Sequence, residues 1–210
     1  MTGSHTETEK NVGKSSRQRL RIILPLILSA AVSFAYATAS SDNEFIYDDY
    51  DVILKRELPA SIDGYFQLFI TRQFENDYPY YRPVPVITML AQRALHGDNP
   101  GPFHLFNSVI IGFIFLAAVA VLQHPAMRIE PLFASLAALL FVMHPCASSV
   151  VYPVASGRET LLPLFFMLVS LACYMRAGWW WYVAAAVAYT LALASKELAV
   201  VMLLVFILAD

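Results

Sequence analysis

The segment Ile22–Ser41 carries no formal charge. A hydrocarbon core about 30 Å thick is crossed by a helix of roughly 20 residues. Inside lipid every backbone N–H and C=O must be satisfied within the segment, so an uncharged run of this length is constrained to be a helix. Similar runs follow at Leu105–Gln123, Pro131–Gly157, Thr160–Met175, Ala177–Ser195 and Leu198–Ala209. His144-Pro145 and Pro153 interrupt the third, which predicts a short span over residues 131–143 followed by an irregular stretch. The expected fold is all-α, a polytopic membrane helical bundle of about six spans. The sixth, at about 12 residues, is too short to cross alone. The expectation is therefore an N-terminal piece of a longer chain, or a last helix completed by a membrane-protein partner.

Composition narrows the function. Residues of the set AVILMFWYC make up 58% and charged residues 14%, against about 25% charged in an average soluble domain. That excludes an ordinary soluble enzyme and a disordered chain. A net charge of −2 offers no basic field for nucleic acid. Two cysteines support neither a disulfide framework nor a multi-cysteine metal site. Neither a Walker-type phosphate loop nor a dinucleotide fingerprint occurs.

The few charges orient the bundle. Lys10, Lys14, Arg17, Arg19 and Arg21 precede the first run, whereas Asp42, Glu44, Asp48, Asp49 and Asp51 follow it. The positive-inside rule places the N-terminus in the cytoplasm. Residues 1–21 then form a disordered cytoplasmic tail, 22–41 span one, 42–102 an extracytoplasmic loop, and 103–210 spans two to six. Counting through, Asp48-Asp49, Tyr81-Arg82-Pro83, His144-Pro145, Arg158-Glu159 and Lys196-Glu197 all fall on the outer face. Ionisable groups at membrane depth are costly and mark function, so one extracytoplasmic site is expected there. Trp179-Trp180-Trp181 falls at the opposite interface as an aromatic belt. Cys146 and Cys173 fall near opposite faces, too far apart to pair. A competing reading takes Ala37-Thr38-Ala39 as a signal-peptide cleavage site; the long apolar run and the later spans favour an anchor.

The first outer loop is too long to be structureless. Ile62, Phe66, Phe69, Ile70 and Phe74 fall on one helical face, as do Val86, Ile87, Leu90, Ala91, Ala94 and Leu95. Two helices lying in the membrane interface are expected; the alternative is a small cap packed on itself, for which no core partner is visible. Ahead of them stands Phe45-Ile46-Tyr47-Asp48-Asp49-Tyr50. Adjacent acids among apolar residues suit a reactive carboxylate with a neighbour that orients it, or solvated acids that help orient span one.

The order of motifs now carries a resemblance: Phe45-Ile46-Tyr47-Asp48-Asp49, Tyr81-Arg82-Pro83, His104-Leu105-Phe106-Asn107, His144-Pro145, Gly157-Arg158-Glu159-Thr160-Leu161-Leu162 and Ser195-Lys196-Glu197. Over residues 22–210 the chain resembles membrane O-mannosyltransferases carrying C-terminal tetratricopeptide repeats, and more broadly GT-C glycosyltransferases of the protein-mannosyltransferase type. It departs from them after His144-Pro145, where a His and a Glu are usual and Cys146-Ala147-Ser148-Ser149-Val150 stands instead. The resemblance implies a sugar donor on a polyprenyl or dolichyl phosphate. It implies inverting transfer to an acceptor hydroxyl, with a polypeptide Ser or Thr, or a glycan, as the acceptor. It places the general base at Asp48, with Asp49 orienting Asp48 or the acceptor.

Such a transfer needs a carboxylate within reach of the attacking hydroxyl and cations for the departing phosphate. Arg82, Arg158 and Lys196 are the candidates for the phosphate, with Tyr81, His144, Glu159 and Glu197 in support. The span bundle would hold the lipid tail. A monophosphate leaving group predicts no cofactor and no obligatory metal ion. Two other readings are a non-catalytic, truncated relative serving as a structural subunit of a membrane assembly, and a transporter. The second is disfavoured because the charges sit at span ends and not at the midplane.

Overall fold

The computed structural model describes residues 3–70 and 81–209, with side chains from Arg21 onward apart from 148 and 209. Every regular element among the described residues is helical. Helix α1 (Gly3–Ala39) extends back through the polar tail, and its apolar part, Arg21–Ala39, is the first helix long and apolar enough to cross a membrane. A π-helical turn at Tyr50–Leu54 follows, then α2 (Ile62–Gln67) and α3 (Pro83–His96). The membrane bundle continues with α4 (Pro100–Leu122), α5 (Pro131–Val142), α6 (Pro145–Val151), α7 (Val154–Tyr174) and α8 (Trp179–Leu193). A 3₁₀ turn at Glu197–Val201 leads into α9 (Met202–Ala209).

Local chemistry sets several of these boundaries. Proline occupies the first turn of α3, α4 and α5, where its missing N–H is not needed. Ser61 caps α2 by accepting from Gly64 N, and Asn99 caps α4 by accepting from Gly101 N. Besides Arg21–Ala39, α4 and α7 are long and apolar enough to span; α5 and α6 pass only as a pair bent by 53°. The expectation of about six spans thus resolves into three full-length helices, one broken pair and two shorter apolar helices, α8 and Glu197–Leu208.

Small residues and hydroxyls let the helices approach closely, since apolar burial gives no drive between helices within lipid. A Cβ on Gly112 of α4 would lie 2.1 Å from Ser33 Oγ of α1. Ser29 Oγ donates to Gly112 O at 2.9 Å, and Tyr36 OH reaches Val142 O of α5 at 2.8 Å. Ser170 Oγ ties α7 to α8 through Ala185 O at 2.7 Å. The main core gathers Val32, Tyr36, Ile111, Ile114, Phe115, Val142 and Leu161. Trp179 and Trp180 are exposed at the start of α8.

Three expectations need correction. The stretch after His144 is helical, as α6, and not irregular. Helix α7 begins at Val154, six residues before the predicted span, so Arg158 and Glu159 lie inside a helix and not in a connection. The segment between α1 and α4 also has a core partner: Phe45, Val52, Ile53, Val86, Met89, Leu90 and Phe103 pack with Val154 and Ala155 in a second buried cluster. Helix α3 belongs to this cluster. In contrast, Ile62, Phe66 and Ile70 around α2 remain exposed, and Phe74 lies outside the described residues.

Candidate functional site at one end of the bundle

The two neighbouring acids have opposite environments. Phe45 is buried edge-on against Phe103, with ring centroids 5.2 Å apart, and fixes the loop before them. Tyr47 takes a positive φ of 46° and turns the chain. The loop closes through Asp49 N donating to Ile46 O and Ile46 N donating to Asp49 Oδ2, both at 3.0 Å. Asp49 is only 1% exposed. It also accepts from Ala155 N at 2.7 Å and from Val154 N at 3.4 Å. Its carboxylate therefore caps α7, where the helix presents unsatisfied N–H groups and a positive dipole end. Asp48 is exposed beside it.

One turn into α7, Arg158 is completely buried. Its guanidinium donates to Asn107 Oδ1 at 3.1 Å, Gln92 Oε1 at 2.8 Å and Phe103 O at 3.2 Å. The group also lies 4.4 Å over the Phe106 ring. Asn107 Nδ2 in turn donates to the carbonyls of Val151, Pro153 and Val154 at 3.2–3.4 Å. The His104-Leu105-Phe106-Asn107 motif thus supplies the ring and the amide that hold Arg158, and His104 is itself buried. Close contact between α6 and α7 completes the arrangement, because a Cβ on Gly157 would meet Val150 O at 2.2 Å.

A second charge cluster links three elements. Arg82, at the start of α3, pairs with Glu159 Oε2 of α7 at 2.5 Å. It also forms a two-pronged bridge to Glu197, at 2.6 and 3.2 Å. Burial opposes its charge, but Glu197 and Glu159 together overcome that and raise its pKa above the usual value. Val84 N donates to Ala194 O nearby, so α3 also docks on the end of α8 by its backbone. Lys196 Nζ donates to Thr160 Oγ1 at 3.2 Å. No carboxylate lies within ion-pair distance of Lys196 among the described residues. Thr160 lines an apolar cavity of about 230 Å³ with Ile111, Phe141, His144, Cys146 and Leu164.

The predicted residues therefore gather at one bundle end but do different things. Arg158, expected to meet a donor phosphate, instead donates to protein groups: the amide oxygens of Asn107 and Gln92 and the carbonyl of Phe103. Arg82, Glu159 and Glu197 form one clamp. Tyr81 OH donates to Phe69 O. His144 is exposed, its Nδ1 accepting from Cys146 N. Sequence reasoning missed Gln92, whose amide bridges Arg158 and Pro102 O at 2.7 Å. Its place on the buried side of α3 beside Met89 was the available signal.

The chain is 28% identical over 169 residues to human protein O-mannosyl-transferase TMTC4, covering 72% of this chain and 23% of that protein. It is 25% identical over 175 residues to protein O-mannosyl-transferase F38B6.6 of Caenorhabditis elegans, covering 78% and 24%. Mouse protein O-mannosyl-transferase TMTC3 is 27% identical over 140 residues, covering 61% and 14%. The chain spans about a quarter or less of the length of these relatives. No family model and no solved structure matches it. These similarities support a sequence relationship to protein O-mannosyl-transferases of the TMTC type.

Proposed function

We propose that this segment forms the catalytic end of a glycosyltransferase. It moves a mannose-like sugar from a polyprenyl-phosphate donor to an acceptor hydroxyl, on a polypeptide or glycan, with inversion. The observation that carries the reading is the division of labour between neighbours. Asp49 is consumed by backbone N–H groups, which holds the adjacent Asp48 exposed at the same bundle end as Lys196 and the apolar cavity. Asp48 takes the proton of the attacking hydroxyl as the new glycosidic bond forms. Lys196 meets the departing phosphate, and the cavity beneath Thr160 takes the first isoprene units. Arg82, held by its glutamates, shapes the entrance. Arg158 positions the start of α7 and does not touch donor. The charge on the phosphate is met by Lys196, so no divalent cation is required.

Sugar transfer is assayed with the intact protein in liposomes, using a polyprenyl-phosphate-mannose donor with and without a chelator. Asp48→Asn should lower turnover at least ~100-fold with donor binding retained. Lys196→Ala should weaken donor binding and turnover together, because the phosphate is charged in both ground and transition states. Transfer should survive the chelator. Near-normal transfer by Asp48→Asn would remove Asp48 as the base. A second reading, a non-catalytic structural subunit, is favoured by one observation: two of the three candidate phosphate cations are already engaged by protein groups. Inactivity of the intact protein with every polyprenyl-phosphate sugar tried would favour it.

A further inference from the structure

At the other end of the bundle lies a cavity of about 410 Å³, framed by the start of the α1 span and the C-terminal ends of α4 and α7. Arg21, Gln123, His124 and Arg176 line its polar side, and Leu26, Leu116 and Val119 its apolar wall. The polar groups come from three separate parts of the chain. No carboxylate is among the lining residues.

Two of the lining groups, Arg21 and Arg176, are cations. Gln123 Nε2 is buried without a hydrogen-bond partner among the described residues, and a buried orphan donor is costly. His124 Nδ1 accepts from Ala126 N at 3.3 Å, so its other ring nitrogen carries the hydrogen. The Arg176 guanidinium lies 4.4 Å over the Trp181 ring. Stacking of this kind fixes its plane and keeps its edge available for a planar or tetrahedral oxyanion. The C-terminal helix ends account for part of this, since their dipoles attract cations. They do not account for a space of this size.

We infer that this cavity binds the phosphate of an anionic phospholipid, on the membrane face opposite Asp48. The phosphate would meet Arg21 and Arg176, and the acyl chains would lie along Leu26, Leu116 and Val119. A free phosphate shares the charge but makes no use of the apolar wall. A basic pocket between spans at the headgroup level is the setting in which anionic lipids are retained.

The test uses the chain reconstituted in phosphatidylcholine nanodiscs doped with phosphatidylglycerol, with retained lipid read by native mass spectrometry. Phosphatidylglycerol should be enriched over phosphatidylcholine, and excess inorganic phosphate should leave that enrichment intact. Arg21→Gln combined with Arg176→Gln should reduce it roughly thirtyfold, from the usual contribution of each basic residue near an anionic surface. Arg21→Lys with Arg176→Lys should largely keep it. Equal retention of both lipids by the parent chain overturns the inference. So does unchanged enrichment in the double glutamine variant. Displacement by inorganic phosphate would mark a soluble-anion site and overturn the lipid assignment.

Discussion

Replacing Asp49 by alanine should destabilise the fold, whereas replacing Asp48 should not. Asp49 accepts from Ala155 N at 2.7 Å, Ile46 N at 3.0 Å and Val154 N at 3.4 Å. The first two are good bonds to a charged acceptor, each worth about 1.5–3 kcal/mol; the third is marginal. Asp49 is 1% exposed, so water cannot take over these donors. Loss of a helix cap alone costs about 0.5–2 kcal/mol. Because these contributions overlap, the expected total is about 3 kcal/mol. For a chain of this size that lowers Tm by roughly 6–12 °C. Asp49→Asn keeps an acceptor for Ala155 but turns an NH₂ toward the other two donors, so about half the loss should appear. The assay is thermal unfolding in one detergent, followed by circular dichroism. Asp48→Asn should leave Tm unchanged and remove transfer. A stable Asp49→Ala beside an unstable Asp48→Asn would refute the division of roles between the two acids.

Three further outcomes are expected. Arg158→Ala strands two amide oxygens and a carbonyl in a fully buried place; it should cost about 3–5 kcal/mol, seen as loss of folded protein on gel filtration. Gly157→Ala drives a Cβ to 2.2 Å from Val150 O. The forced separation of α6 and α7 should cost about 1–3 kcal/mol by thermal unfolding. Reporter fusions after Asp98 and after Ala177 should lie on opposite sides of the membrane, with Ala177 cytoplasmic; a cytoplasmic Asp98 fusion would dismantle the single-face site.

The apolar runs alone determined the helical class, and the start of α1's apolar part and helix α3 could be read closely from charge and periodicity, whereas α4 begins at Pro100, five residues before the expected span. Those signals are local: a helix in lipid satisfies its own backbone, so length and hydropathy suffice to reveal it. The start of α7 was not legible. Gly157-Arg158-Glu159 looks like a connection because a charge there is costly, and what offsets it lies far away in the chain. Gln92, Phe103 and Asn107 receive the arginine, Arg82 receives the glutamate, and Asp49 caps the helix 105 and 106 residues upstream of its donors. For the same reason Asp48 and Asp49 are indistinguishable as adjacent letters. Only the docking of α7 against the loop that follows α1 decides which carboxylate is buried against backbone N–H groups and which is left facing solvent.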